Sequence, residues 1–342
     1  MSIIKKVSLM TGFLGAGKTT LLNEIILQRK ELRFAVLENE VGAQSIDAEL
    51  IIKGEGPVIE LNDGCLCCSL NEDIFEVLNQ LWDKRSLWDH LLIEATGIAD
   101  PANIAHPFLT NPNVQKGFSL QQVICVVDVQ LIEDQLKETQ EAIQQISFSD
   151  VILLNKVEQV SVHYANEIVD KLKLINPFAE ILVRSRENFN TSLLFKKENT
   201  SFFKPKVNFL PVKGVVNLSS VSAMGPLKNI HTRHQHSDIE TVLLCYGQDF
   251  DITLLRQRLL VFLILQSSNV YRIKGIVASK GASSKMVVQT VSKSVSITEG
   301  ETWEKEAKRE SKIVIIGRNL QSKGLDKMFR ACLAEQSMEG AF

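Results

Sequence analysis

One short string near the start of the chain limits the fold more than any other feature: Gly12-Phe-Leu-Gly-Ala-Gly17-Lys18-Thr19. Two glycines with four residues between them, then Lys and Ser/Thr, is the phosphate-loop pattern. At average composition, a chain of this length contains that string by chance roughly once in a hundred. Its setting makes chance less credible still. The apolar run Ile3–Met10 reads as a strand, and Lys18 to about Arg29 reads as a helix. Strand, loop and helix are the context the pattern requires. The glycines let backbone N–H groups turn inward around phosphates, and the helix N-terminus adds its partial positive charge. Gly12, Gly15, Ala16, Gly17, Lys18, Thr19 and Thr20 are therefore the candidate phosphate-binding residues. Lys18 is expected to reach the terminal phosphates, and the Thr19 hydroxyl to ligate Mg2+.

A phosphate loop belongs to a parallel sheet with crossover helices, and the first half of the chain alternates accordingly. Phe34–Glu38, Leu91–Glu94, Val123–Val129 and Val151–Leu154 are short apolar strands, with helices expected over Glu133–Ile146 and Tyr164–Ile175. Residues 1–195 are read as this α/β domain, a P-loop NTPase with a mostly parallel sheet and flanking helices. Residues 196–238 hold three prolines before Asn229 and no sustained periodicity, so they read as a linker. Residues 239–342 form a smaller α+β domain. Its strands are expected at Thr241–Tyr246, Tyr271–Ala278, Met286–Val291, Val295–Glu299 and Ile313–Gly317. Its helices are a mostly buried Ile252–Gln266 and an amphipathic Gly324–Gln336.

The 342 residues give room for both domains, and a 45% apolar share supplies two cores. The 38 basic and 40 acidic residues nearly cancel, so there is no electrostatic case for a nucleic-acid or membrane-surface partner. Lys5 and Lys6 ahead of Val7–Ala16 imitate a short signal peptide, but no small-residue cleavage site follows. The apolar run Leu259–Leu265 is too short to span a bilayer. Cytoplasmic residence is the resulting expectation.

A phosphate loop needs a carboxylate at a neighbouring strand end to complete the Mg2+ environment. Glu94 closes Leu91-Leu-Ile-Glu94, and Gly97 follows where a backbone N–H could meet the γ-phosphate. Asp128 is a second candidate, read as structural. Asn155-Lys156-Val157-Glu158 follows another apolar strand and resembles the guanine-reading pattern Asn-Lys-x-Asp. A carboxylate there accepts from guanine N1–H and the 2-amino group, donors that adenine lacks. Glu158 keeps both acceptor oxygens but sets them one methylene further out.

Three of the six cysteines crowd into Cys65-Leu-Cys67-Cys68, too close together for a disulfide framework. Asn62-Asp-Gly64 precedes them as a turn. Ser69 and Glu72 then have capping-box spacing before a helical repeat of Ile74, Val77, Leu78, Leu81 and Trp82. Thiols just ahead of a helix N-terminus favour the thiolate, and clustered soft ligands suit Zn2+ or Cu(I). Incidental surface cysteines and a thiol redox switch are the competing readings. Glu38 and Glu40, with Asp47 beyond, lie between loop and cluster and could serve either ion or a nucleotide-sensing switch. Cys125, Cys245 and Cys332 read as small core hydrophobes.

Together these residues resemble the CobW-like family of metal-handling GTPases. The resemblance runs through Gly12–Thr20, Glu38–Gly42 with Asp47, Gly64-Cys-x-Cys-Cys68, and Glu94-x-x-Gly97 with Asp100-Pro101. It extends to Tyr271-Arg-Ile-Lys-Gly275, Trp303 and Ile313–Arg318. It implies GTP hydrolysis with Mg2+, binding of zinc or a related metal at the cysteines, and delivery to a client metalloprotein. Client, metal and oligomeric state, a homodimer included, stay open. Two departures stand out: Glu158 replaces the family's Asp, and the His-rich stretch between domains shrinks to His231, His234 and His236. Those histidines read as solvated linker, with a weak transit metal site as the alternative. A zinc-storage or redox-sensing protein and a P-loop kinase are the competing functions.

Overall fold

The computed structural model describes residues 4–39, 59–61, 73–184, 189–195, 216–217, 239–266, 269–304 and 309–334. The chain forms two compact units, Met1–Asn199 and Thr200–Phe342.

The first unit begins with β1 (Lys5–Thr11), α1 (Lys18–Gln28), β2 (Phe34–Asn39), β3 (Ile59–Leu61) and α2 (Asp73–Asp83). β4 (His90–Ala95), α3 (Pro101–Thr110), α4 (Pro112–Gly117) and β5 (Phe118–Asp128) follow. It continues with α5 (Ile132–Glu138), α6 (Gln140–Phe148), β6 (Val151–Asn155), α7 (Val162–Ile175) and β7 (Glu180–Val183). The strands make one seven-stranded sheet in the order β3-β2-β4-β1-β5-β6-β7, every pair parallel. Helices cover both faces of such a sheet, which is why β4 and β6 are buried along their whole length and read as apolar runs rather than alternations. β1 is central. Met10 pairs with Glu94 on one side and Ile124 on the other, and Glu94 in turn pairs with Glu38. Asp128 pairs with Asn155. Parallel pairing thus brings the carboxyl ends of five strands to one edge, where ligands of open α/β sheets bind.

Two helices escaped the sequence reading, and both are started by local chemistry. Asp100 accepts from the N–H of Ala102 at 2.9 Å with Pro101 at the first helical position. Asn111 caps α4 in the same way ahead of Pro112. The single helix expected over Glu133–Ile146 is two helices. Thr139 is extended (φ −130°), ends α5 and caps α6 through its hydroxyl, so the apolar rhythm continues across a break.

The second unit contains β8 (Val216–Asn217), β9 (Ile239–Tyr246), α8 (Ile252–Gln266), β10 (Val270–Val277) and β11 (Ser284–Val291). β12 (Ser294–Thr302), β13 (Ser311–Arg318) and α9 (Leu325–Arg330) complete it. Its six strands form an antiparallel sheet, ordered β12-β11-β10-β13-β9-β8. Leu255, Leu259, Phe262 and Leu263 of α8 pack into its core with Ile273, Ile315 and Phe329.

Three expectations for this half need correction. α8 is buried on one face only, with Val261, Ile264 and Leu265 exposed. The terminal helix stops at Arg330 rather than Gln336, because the chain turns to let Leu333 bridge Phe250 on its way out. Cys125 and Cys332 are buried, but Cys245 is exposed: it lies on the face of β9 opposite to Leu244 and Tyr246, and beyond Val242 and Leu243, which pair with β8.

Candidate nucleotide-binding site

β1 delivers the chain to the loop at Thr11, which is fully buried, and α1 starts at Lys18. Gly17, the cap position, has φ +100°, and a Cβ there would lie 2.5 Å from Asn155 Nδ2. Conformation and space both demand glycine. No side chain caps α1 and no acidic residue occupies its first turn. α3, α6 and α7, by contrast, are capped by Asp100, Thr139 and Ser161. The first N–H groups of α1 are left for an anion.

Lys18 is buried and donates from Nζ to the Phe13 carbonyl at 3.3 Å, folding across the loop. Thr19 Oγ1 donates to Glu94 Oε1 at 3.1 Å, although the two lie in separate elements. Glu38 stands beside Glu94 at the end of the adjacent strand. The Thr96 hydroxyl is buried and has no hydrogen-bond partner among the described residues. Hydroxyls and carboxylates are hard oxygen donors, a set that fits Mg2+ rather than a soft metal. Among the described residues no group of three or more His, Cys, Asp or Glu side chains could hold a metal ion. Cys65, Cys67, Cys68, Glu40 and Asp47 lie outside the described residues, as do His231, His234 and His236.

The turn after Glu94 rests against the loop. A Cβ on Gly97 would meet the backbone N of Leu14 at 2.6 Å. Gln145 of α6, almost fully buried, holds that turn from behind by donating to the carbonyls of Gly97 (3.1 Å) and Ala99 (3.2 Å).

On the other flank Asn155 ends β6. Its Nδ2 donates to the Ala16 carbonyl at 2.7 Å, and its Oδ1 accepts from Arg184 Nη1 at 2.8 Å. Arg184 follows β7 and also pairs with Glu24 of α1. Lys156 takes a left-handed conformation (φ +61°) and its Nζ lies 2.7 Å from Asp128 Oδ2. Asp128 Oδ1 accepts from the N–H of Gln130 at 2.9 Å. Glu158 lies exposed in the helical turn Val157–Gln159. Arg184, Glu24 and Gln145 were missed by sequence reasoning. A cation directly after an apolar strand was the one available signal for Arg184.

Burial shifts Asp100, His106 and Cys125. It raises the Asp100 carboxyl above its ordinary range, partly opposed by the Ala102 N–H. It lowers His106. Cys125, paired in the sheet with Thr11, has its thiol pushed up to about 12 by burial, so it is an inert neighbour of the loop rather than a nucleophile.

Comparison with known proteins agrees with this fold. Residues 6–183 match the model of the CobW/HypB/UreG nucleotide-binding domain, and residues 239–333 match the cobalamin synthesis protein cobW C-terminal domain. The chain is 29% identical to the zinc chaperone YjiA of Escherichia coli, over 94% of this chain and 97% of that one. It is 26% identical to the zinc chaperone CobW of Pseudomonas aeruginosa, over 96% and 91% respectively. The crystal structure of Zn(II)-bound YjiA GTPase from E. coli superposes with a TM-score of 0.66 at 25% identity, covering 97% of this chain and 99% of that one.

Proposed function

Because the chain belongs to the CobW/HypB/UreG family, we propose that it is a GTP-hydrolysing metallochaperone that binds zinc at Cys65, Cys67 and Cys68. On this reading, nucleotide state governs delivery of the metal to a client metalloprotein. The observation that carries the nucleotide half is the bond from Thr19 to Glu94 at the head of an uncapped helix. It joins loop and carboxylate across 75 residues of sequence. The relatives named as zinc chaperones support the metal half.

In this mechanism the N–H groups of Gly15 to Thr19 cradle the phosphates. Lys18 leaves the Phe13 carbonyl to meet the charge that develops on the transferred phosphoryl group. Thr19 and Glu94 would hold Mg2+, which supplies Lewis-acid neutralisation of the phosphate oxygens. Gly97 presents its N–H to the γ-phosphate, and any movement of that turn is felt at Gln145. Asn155 and Glu158 read guanine. Among the described residues no helix is long and apolar enough to cross a membrane.

Phosphate release with GTP and ATP, with and without Zn2+ and a chelator, tests the reading. GTP-selective turnover that responds to zinc supports a metallochaperone. Turnover blind to zinc favours a kinase-like or purely regulatory nucleotide site.

A further inference from the structure

The Asn155 amide is clamped between two groups of opposite hydrogen-bonding capacity. A guanidinium only donates, so Arg184 Nη1 at 2.8 Å must face the amide oxygen. A carbonyl only accepts, so Ala16 O at 2.7 Å must face the amide nitrogen. These two contacts fix which end of the amide is which, an assignment that is otherwise ambiguous for an asparagine. The clamp is closely packed. A Cβ on Gly17 would touch Asn155 Nδ2 at 2.5 Å and Arg184 Nη1 at 4.0 Å. Arg184 is itself buried, and its second terminal nitrogen pairs with Glu24 on α1.

We propose that Arg184, aimed by Glu24, is a positioning residue for base selection that locks Asn155 with an N–H, not its oxygen, turned toward the nucleotide base. The inference rests on the reading that this chain binds guanine nucleotides beside Asn155. Nδ2 carries two hydrogens, and the Ala16 carbonyl takes one. The other is the group that Asn155 can offer to a base. Guanine presents only acceptors on its N7/O6 edge, whereas adenine presents the N6 amino donor beside N7. An amide fixed with N–H outward therefore favours guanine, and a flipped amide with oxygen outward favours adenine. Without Arg184 the amide oxygen loses its donor, and only the Ala16 carbonyl is left to oppose the flip. Because Glu158 is exposed and one methylene longer than aspartate, part of the discrimination would then reside in this buried relay.

The test is direct titration of GDP and ADP into the full chain, comparing wild type with Arg184→Ala, Arg184→Lys and Glu24→Gln. Thermal melting of each variant checks the fold. Wild type should prefer GDP. Arg184→Ala should reduce the GDP:ADP affinity ratio by about tenfold, the scale of one charge-assisted hydrogen bond. Arg184→Lys, which keeps a donor but loses the fork, should recover part of the ratio. Glu24→Gln, at a partly exposed site, should lower it by less in the same direction. General loosening of the site would weaken both nucleotides together and leave the ratio unchanged. An unchanged ratio in folded Arg184→Ala, or in Glu24→Gln where the first variant fails to fold, overturns the inference but not the guanine reading. A wild type with equal affinities overturns the guanine reading and the inference with it.

Discussion

Replacing Gly97 with alanine isolates the contact between the turn after Glu94 and the phosphate loop. The added Cβ would sit 2.6 Å from Leu14 N, 3.2 Å from Leu14 Cα and 3.3 Å from Leu14 Cβ. Two of these three atoms are backbone, so no rotamer change relieves the clash. Ordinary contact begins near 3.4 Å, so turn and loop must separate by roughly 0.8 Å at the closest pair. Leu14 is 82% exposed, which means the loop can yield outward. Overpacking of this kind costs about 1–3 kcal/mol in a packed core and less where one side can move. At about 2–4 °C per kcal/mol for a domain of this size, melting should fall by only a few degrees. Catalysis should suffer far more, because displacing a positioned group by ~1 Å costs on the order of a hundredfold. Single-turnover phosphate release, alongside GDP affinity and thermal melting, measures all three quantities. Turnover within about twofold of wild type, in a protein with normal GDP affinity, would falsify the idea that Gly97 must lie against the loop for reaction.

Lys18→Ala should abolish measurable hydrolysis while melting stays close to wild type, since several kcal/mol of transition-state stabilisation is lost from a loop residue. Near-normal turnover in the folded variant would remove the loop from the mechanism. His90 is buried beside Phe34 and Phe195, and its Nε2 lies 2.9 Å from Ser8 Oγ. Desolvation, with Lys6 and Arg29 nearby, lowers its pKa from 6.5 to about 4. The unfolded chain therefore takes up a proton that the native state refuses, and stability should fall as pH drops from about 6.5 to about 4. Urea midpoints across that window should decline less in His90→Gln, and parallel declines would exclude His90 as the source. Cys67→Ser should lose tight zinc binding, read by competition with a chromophoric chelator, while GTP binding persists. In wild type, zinc affinity in GDP should differ from that in a non-hydrolysable GTP analogue by about 1–3 kcal/mol, and equal values would disconnect the two sites.

The features legible in sequence were those whose cause is local. The loop string, the apolar strands beside it and the carboxylates at their ends are each written in a few consecutive residues, and parallel pairing then aligns Glu38, Glu94, Asp128 and Asn155 at one edge. Breaks hidden inside a continuing periodicity were not legible. Thr139 divides a helix without disturbing its apolar rhythm, because a β-branched cap is also a tolerable helix residue. Cys245 sits in an apolar run, and its place on β9, beyond the residues that pair with β8, is not written in that run. Arg184 and Gln145 were out of reach for a different reason. Arg184 meets Glu24 across 160 residues, and Gln145 meets Gly97 across 48, so their roles exist only once the sheet is assembled. The cysteine cluster could be proposed from spacing alone, and it lies outside the described residues.

The strand order has a consequence for how the protein is made. β1 is made well before its sheet partners β4 and β5, and the residue that clamps the loop's floor through Asn155 is Arg184. Synthesis proceeds at about 5–20 residues per second, so Lys18 waits roughly 10–30 s before Arg184 has even been added. Early in that interval, until β4 and β5 have been made, the nascent loop has glycines but no floor, and the central strand has unpaired edges on both sides. A nucleotide cannot rescue it, because the site that would bind one does not yet exist.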